Sequence, residues 1–345
     1  MNVVHCLFTM KTGGAQMLVV DILNKVVINN NAYLIIVNDE FDEAVLQSID
    51  SRVKIFFLNR KPGSKNPLYI LKLNWILFKI KPKVIHCHEP NIVNLIFYNN
   101  VKKILTVHDV GIGNIYINKY TNIVSISETV FKDILTRFNI RTILINNGID
   151  FESFQKRSKY KSINNFNLVQ VSRLMHEKKG QHIAIESINI LNNLFPGVFT
   201  ITFIGEGSSE SYLKELTKKL NLQSQVSFLG NKNRDWIKKN LHQFDLVIQP
   251  SVYEGFGLTI LEGIATKNPV IASNIDGPKE ILNNFESLFL FESGNPKDLS
   301  DKIYEIYRKY TNDLLLPELN LVYERSFIKY DISVMVNKYF DLYFN

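Results

Sequence analysis

The stretch DLVIQPSVYEGFGLTILEGIATKNPVIAS, residues 245–273, decides the fold. DLVIQPS reads as a strand, VYEGFG as a loop, LTILEGIATK as a helix and PVIAS as the next strand. Both strands are unbroken apolar runs rather than alternating ones. That is the pattern of a parallel sheet covered on both faces. The order strand, helix, strand makes one βαβ unit.

The same unit recurs in both directions. LVQVS, TITFIG and VSFLG come before the stretch as strands, and SLFLF comes after it. Towards the N-terminus lie NVVHCLF, YLIIV, KIFFL, KVIHCH, KILTVH, NIVSIS and TILIN. Helical runs such as GAQMLVVDILNKVVI and SETVFKDILTRF separate most of them. Between the two series NNGIDFESFQKRSKYKSINNFN, residues 146–167, is polar and without period, and reads as a linker. The expected architecture is therefore α/β, with two Rossmann-like doubly wound domains facing across a cleft. Their expected bounds are 1–150 and 151–325. Residues 326–345 form a C-terminal helix that packs back on the first domain.

Composition agrees. The 345 residues are 46% hydrophobic and 21% charged, the balance of a soluble globular protein. MNVVHCLFTMKTGG runs directly into a strand, so no leader is expected. No apolar run approaches the ~20 residues that a membrane span requires. Cys6 and Cys87 both fall in apolar strands, which predicts two buried reduced thiols and a cytoplasmic setting.

Ligands of open α/β sheets bind at the carboxyl ends of strands, so the chemistry is sought there. In VYEGFG, Gly255 and Gly257 let backbone N–H groups turn outward where a helix begins, and such an end favours an anion. Glu254 and Glu262 flank that turn, eight residues apart. Each carboxylate is able to accept from two hydroxyls, which suits a ribose or a sugar ring. Two glutamates alone fit solvated surface charges better. The strand LVQVS adds weight, because it leads into RLMHEKKG, with Arg173, Lys178 and Lys179 at the ligand edge. Cations there neutralise a leaving diphosphate. In the first domain Gly13 and Gly14 separate the first strand from the first helix, permitting close approach of a ligand to the backbone. No G-x-G-x-x-G fingerprint occurs. His86 and His88 share one strand face, but the sequence shows no third ligand beside them, so no metal is expected. His108 ends the next strand; it serves either a sugar hydroxyl or a structural hydrogen bond.

Together GGAQ, VIHCHEP, LTVHD, NNGID, VSRLMHEKKGQ, VSFLG and above all EGFGLTILE resemble the retaining glycosyltransferases of the GT-B fold, specifically glycosyltransferase family 4 with its E-x7-E element. The resemblance runs nearly the full length. It implies a nucleotide-sugar donor, a UDP-sugar by the family's habits, held mainly by the second domain. Arg173 and a lysine of the next turn would grip the diphosphate. The family's spacing points to Lys179, and the doubled lysine keeps Lys178 open. Glu262 would hold the ribose and Glu254 would meet the transferred sugar near its reacting carbon. The amides of Phe256, Gly257, Leu258 and Thr259 would meet the diphosphate or sugar. His108 would touch the sugar, Gly14 would line the phosphate side, and Leu229 and Gly230 would sit near the base. Glu254 and His108 are the catalytic candidates. No Asp-x-Asp element occurs, consistent with a metal-independent reaction without cofactor.

Net charge is +7, and residues 52–83 hold nine basic residues and no acid. Within PLYILKLNWILFKIKPK, residues 67–83, the lysines interleave with apolar side chains. One reading is a helix that covers the sheet with its lysines in water. The other is a peripheral contact with an anionic membrane carrying a lipid-linked glycan acceptor. A nucleic-acid partner is not expected, because the segment is aliphatic rather than a platform of stacking aromatics. A GT-B-fold sugar-nucleotide epimerase is the alternative enzyme.

Overall fold

The structure is a computed structural model that describes residues 1–114, 116–158, 165–283, 289–312 and 314–344. The chain divides into two compact units, Met1–Gly148 with Ile332–Asn345, and Ile149–Asp331.

The first unit holds β1 (Asn2–Leu7), β2 (Asn31–Asn38), β3 (Lys54–Arg60), β4 (Val84–Cys87), β5 (Lys102–Val107), β6 (Asn122–Ser125) and β7 (Ile143–Leu144). They form a seven-stranded sheet in the order β3-β2-β1-β4-β5-β6-β7. Every pairing in it is parallel. Its helices are α1 (Gly14–Asn29), α2 (Glu43–Gln47), α3 (Leu68–Ile80) and α4 (Glu128–Phe138). The second unit holds β8 (Phe166–Val171), β9 (Phe199–Ile204), β10 (Val226–Phe228), β11 (Leu246–Gln249), β12 (Val270–Ser273) and β13 (Leu290–Phe291). These make a six-stranded sheet in the order β10-β9-β8-β11-β12-β13, again parallel. Its helices are α5 (His176–Lys179), α6 (Gln181–Leu194), α7 (Glu210–Lys219), α8 (Arg234–Asn240), α9 (Leu258–Ala265), α10 (Asp276–Leu282), α11 (Pro296–Thr311) and α12 (Leu316–Tyr330). The chain then returns to the first unit as α13 (Ile332–Phe344).

Both sheets reverse strand order beside their first strand, between β1 and β4 and between β8 and β11. Ligands of doubly wound folds bind outside the strand ends at that switch point. The strands are buried because both faces are covered: β4, β11 and β12 are buried at every position. That continuous burial is why they read as unbroken apolar runs. In the first unit Leu18, Ile22 and Val26 of α1 and Met335, Val336 and Tyr339 of α13 share one core with β1 and β2. Local chemistry starts the helices. Ser127 Oγ accepts from Val130 N–H ahead of α4, and Asn233 Oδ1 from Trp236 N–H ahead of α8.

One sequence reading changes. Part of the stretch read as a linker is packed: Phe151 and Phe154 are buried, and Arg157 pairs with Asp245 at 3.2 Å. Few apolar residues suffice there because each is large and fully covered. Residues 159–164 of that stretch, and Ser287 and Leu288 of the strand read as SLFLF, lie outside the described residues. Cys6 and Cys87 are free thiols, both buried. No helix among the described residues is long and apolar enough to cross a membrane.

Candidate active site

In the second unit the switch point is built from three chain segments: the end of β8 with α5 and the start of α6, the β11–α9 loop, and the start of α9. Lys179 Nζ donates to Glu254 Oε2 at 2.6 Å. Gln249 Nε2 donates to the same oxygen at 2.8 Å. The Lys179 and Glu254 side chains keep 16% and 17% of their surface, so the pair is sheltered but reachable. The two neighbouring lysines make different contacts. Lys178 Nζ instead lies over the Tyr253 ring, 4.8 Å from its centroid.

Backbone contacts fix this arrangement. Lys178 O accepts from Val252 N–H at 3.0 Å and Tyr253 N–H at 3.3 Å, tying α5 to the loop. Gln170 Nε2 donates to Lys179 O at 2.7 Å, and Gln181 Nε2 to Arg173 O at 2.8 Å. Thr259 Oγ1 donates to Val171 O at 3.3 Å, joining α9 to the end of β8. Gly180 separates α5 from α6 at φ +66°, and a Cβ there would stand 1.8 Å from Pro250 O. Only glycine lets that turn lie against the end of β11. Gly257 precedes α9 at φ +108°, a conformation closed to other residues. The first N–H groups of any α-helix lack partners inside it, so α9 opens towards this cluster with donors and a positive dipole end.

The remaining sequence candidates distribute as follows. Arg173 follows β8 and is exposed. Glu262 is half-buried on α9. Gly255, Phe256 and Gly257 are buried, with Leu258 half-buried beside them. Leu229 is exposed after β10, and Gly230 takes φ +68° with its carbonyl accepting from Gly205 N–H at 2.9 Å. Gly14 and His108 belong to the first unit, where Gly14 opens α1 and His108 follows β5. Sequence reasoning missed Gln170, Gln181 and Gln249. Their signal was a polar residue at a buried strand or helix end, which ordinarily marks a hydrogen-bonding task.

The first unit's strand ends hold a different construction. His88 Nδ1 and His108 Nε2 are 3.0 Å apart, and His5 Nδ1 and His88 Nε2 are also 3.0 Å apart. Tyr343 OH on α13 lies 3.3 Å from His5 Nε2 and 2.6 Å from His86 Nδ1. His86 Nε2 reaches Thr106 Oγ1 at 2.7 Å, and that hydroxyl reaches Tyr339 OH at 3.0 Å. The sequence reading found no third histidine for His86 and His88. His5 is that third residue, because β1 pairs with β4 in a register that sets His5 opposite His86. All nitrogens of His5, His86 and His88 already have a hydrogen-bond partner, so the network by itself accounts for the cluster. Burial pushes His5 down to about 3 and His108 down to about 4, and holds His86 and His88 well below the usual imidazole range. All four are neutral at physiological pH. Burial also raises the Glu89 carboxyl to about 7, although Phe8 N–H donates to it.

Residues 152–314 match the family described as Glycosyl transferases group 1. A poly(ribitol-phosphate) alpha-N-acetylglucosaminyltransferase of Staphylococcus aureus is 27% identical over 66% of this chain and 44% of its own length. The chain spans about half the length, or less, of the first curated relatives it matches. Among solved structures, a glycosyltransferase from Rickettsia africae aligns with TM-score 0.82 at 22% identity, covering 99% of this chain and 97% of that one. Anabaena HepE in complex with UDP and glucose aligns with TM-score 0.83 at 19% identity, covering 99% of both chains. At such identities the likeness carries the fold: two Rossmann-like parallel-sheet domains, the architecture of GT-B glycosyltransferases.

Proposed function

We propose that this chain is a glycosyltransferase that moves a sugar from a nucleoside diphosphate, with UDP as the nucleotide, to a glycan or lipid-linked glycan, with retention of configuration and without a metal ion. The observation that carries the reading is the Lys179–Glu254–Gln249 cluster at the second unit's switch point, inside the region matching the glycosyltransferase family.

The chemistry follows from charge. Breaking the bond between the anomeric carbon and the phosphate oxygen leaves positive charge on the sugar and negative charge on the diphosphate. Lys179, Arg173 and the first amides of α9 stabilise the negative side. Lys179 then exchanges Glu254 for the diphosphate. Gln249 keeps hold of Glu254, so the released carboxylate stays oriented towards the sugar instead of rotating into solvent. The acceptor hydroxyl attacks from the face the diphosphate leaves, and its proton passes to the departing phosphate oxygen. Glu262 holds the ribose hydroxyls.

The acceptor side of the reading rests on α3. Leu73, Ile76, Leu77 and Ile80 face the core, as a sheet-covering helix requires. The opposite face is also apolar: Leu68, Leu71, Trp75 and Phe78 are each 62–64% exposed. Phe97, equally exposed, is tied alongside by its N–H donating to Asn74 Oδ1 at 2.7 Å. With the basic residues of 52–83 nearby in sequence, this face suits peripheral contact with an anionic membrane.

A panel of UDP-sugars, followed by NMR of the anomeric signal in the product, tests the reading. Transfer with the donor's anomeric configuration kept, unaffected by EDTA, is the expected result. Inverted product refutes retention. Epimerised donor in the absence of any acceptor refutes transfer.

A further inference from the structure

The three histidines His108, His88 and His5 are joined by two nitrogen-to-nitrogen hydrogen bonds. A neutral imidazole carries one N–H, so one nitrogen donates and the other accepts. If His88 donates to His5 from Nε2, its Nδ1 must accept, and His108 must donate from Nε2. If His88 donates from Nδ1, both its neighbours reverse. The chain thus has only two settings, and whichever end is fixed fixes the other.

Tyr343 OH stands 2.6 Å from His86 Nδ1 and 3.3 Å from His5 Nε2, and we assign its proton to the shorter contact. Tyr343 therefore donates to His86. Its oxygen accepts from His5 Nε2–H across the longer 3.3 Å contact. His5 Nδ1 must then accept from His88 Nε2–H, and His88 Nδ1 from His108 Nε2–H. His108 Nδ1 is left as a bare lone pair. It is buried and has no hydrogen-bond partner among the described residues. His86, accepting at Nδ1, donates from Nε2 to Thr106 on the other branch.

We propose that Tyr343, acting through His5 and His88, holds His108 in its Nε2–H tautomer, so that Nδ1 is presented at the end of β5 as an acceptor for a ligand hydroxyl. Tyr343, His5 and His88 are positioning residues. A bare imidazole nitrogen accepts from an O–H and repels phosphate oxygens. The site accordingly selects a hydroxyl-bearing group over an anionic one. That this hydroxyl belongs to the transferred sugar rests on the glycosyltransferase reading above. The burial that keeps all four rings neutral keeps the direction of the relay intact, because a second proton on any ring would break it.

Long-range proton–nitrogen NMR of the full chain, labelled with nitrogen-15 histidine and free of ligand, reads the assignment directly. The expected spectrum shows His5, His86, His88 and His108 all protonated on Nε2. A protonated Nδ1 at His108 overturns the proposal. In Tyr343→Phe the two directions become similar in energy, so His108 Nδ1 is expected to move to a mixed signal. Tyr339→Phe, at the far end of the other branch, is expected to leave it in place. An unmoved His108 in folded Tyr343→Phe also overturns the relay. Should that variant not fold, the wild-type spectrum still decides. None of these signals needs a sugar nucleotide, so failure of the transfer reading shows separately, as absent turnover.

Discussion

The two units have the same doubly wound strand order around their switch points and put opposite chemistry there. In the second unit a lysine, a glutamate and a glutamine meet in a sheltered but reachable pair. In the first unit four histidines are threaded through buried hydroxyls and kept neutral. The fold supplies a place where strand ends converge. The side chains decide whether that place exchanges charge with a ligand or presents one oriented nitrogen to it. A charged pair suits a site whose partner is a diphosphate, because Lys179 is able to trade one anion for another. A neutral relay suits a site whose partner is uncharged.

Acid should separate the two most sharply. The unfolded chain takes up protons at its histidines near pH 6.5, while the folded first unit does not until about pH 4 for His108 and about 3 for His5. Stability from this depression is present above pH 6.5 and is lost as pH falls through the window down to those values. Each neutral histidine contributes a loss of roughly 1.4 kcal/mol per pH unit. Glu89, raised to about 7, works the other way, because the folded state holds its proton first. Four imidazoles kept neutral outweigh one raised carboxyl, so folding is expected to weaken as pH falls below 6.5. Circular dichroism against pH should show an acid transition beginning below pH 6.5 and shared by amide probes in β1, β4 and β5. A transition confined to the second unit would contradict the comparison.

Catalysis should be most sensitive in the second unit. Glu254→Ala is expected to lower kcat by about 10²–10³, the scale of losing one transition-state contact in an organised site. Undiminished turnover would remove Glu254 from the reaction. Gly180→Ala places a methyl group against Pro250 O at a positive φ. It should destabilise the second unit by about 2–4 kcal/mol, read by chemical denaturation. A near-neutral result would mean that α5 lies differently against β11. The smallest effect on folding belongs to Trp75→Asp on α3, within about 0.5 kcal/mol because the residue is exposed. The same variant should lose flotation with anionic vesicles at low salt. No flotation by the unmodified protein would remove the membrane contact.

Much of the fold was legible because parallel strands buried on both faces are apolar through their middles, as residues 246–248 and 270–272 are, with polar residues only at their ends. The linker reading faltered because two phenylalanines in a polar stretch, Phe151 and Phe154, leave no periodicity to detect. Glu254, Lys178 and Lys179 stood out as candidates at strand ends, and the family resemblance pointed to Lys179 of the two lysines. The contact between Lys179 and Glu254 could not be foreseen, since it depends on the close packing that Gly180 allows between segments 75 residues apart. His5 was invisible as a partner for His86 until strand register was known. Tyr343 lies farther still, 338 residues from His5 in sequence. Local patterns report what each element buries, while sites of this kind are written in the pairing of distant elements.

Titration of UDP into the unmodified protein, Lys179→Met and Glu254→Ala by calorimetry tests donor binding at the second unit most directly. If a diphosphate takes Lys179 from Glu254, Glu254→Ala binds UDP at least as tightly as the parent. Lys179→Met then binds about 10–100-fold more weakly, the scale of one charge-assisted hydrogen bond. Equal weakening in both variants, or no binding of UDP by the parent, would contradict it.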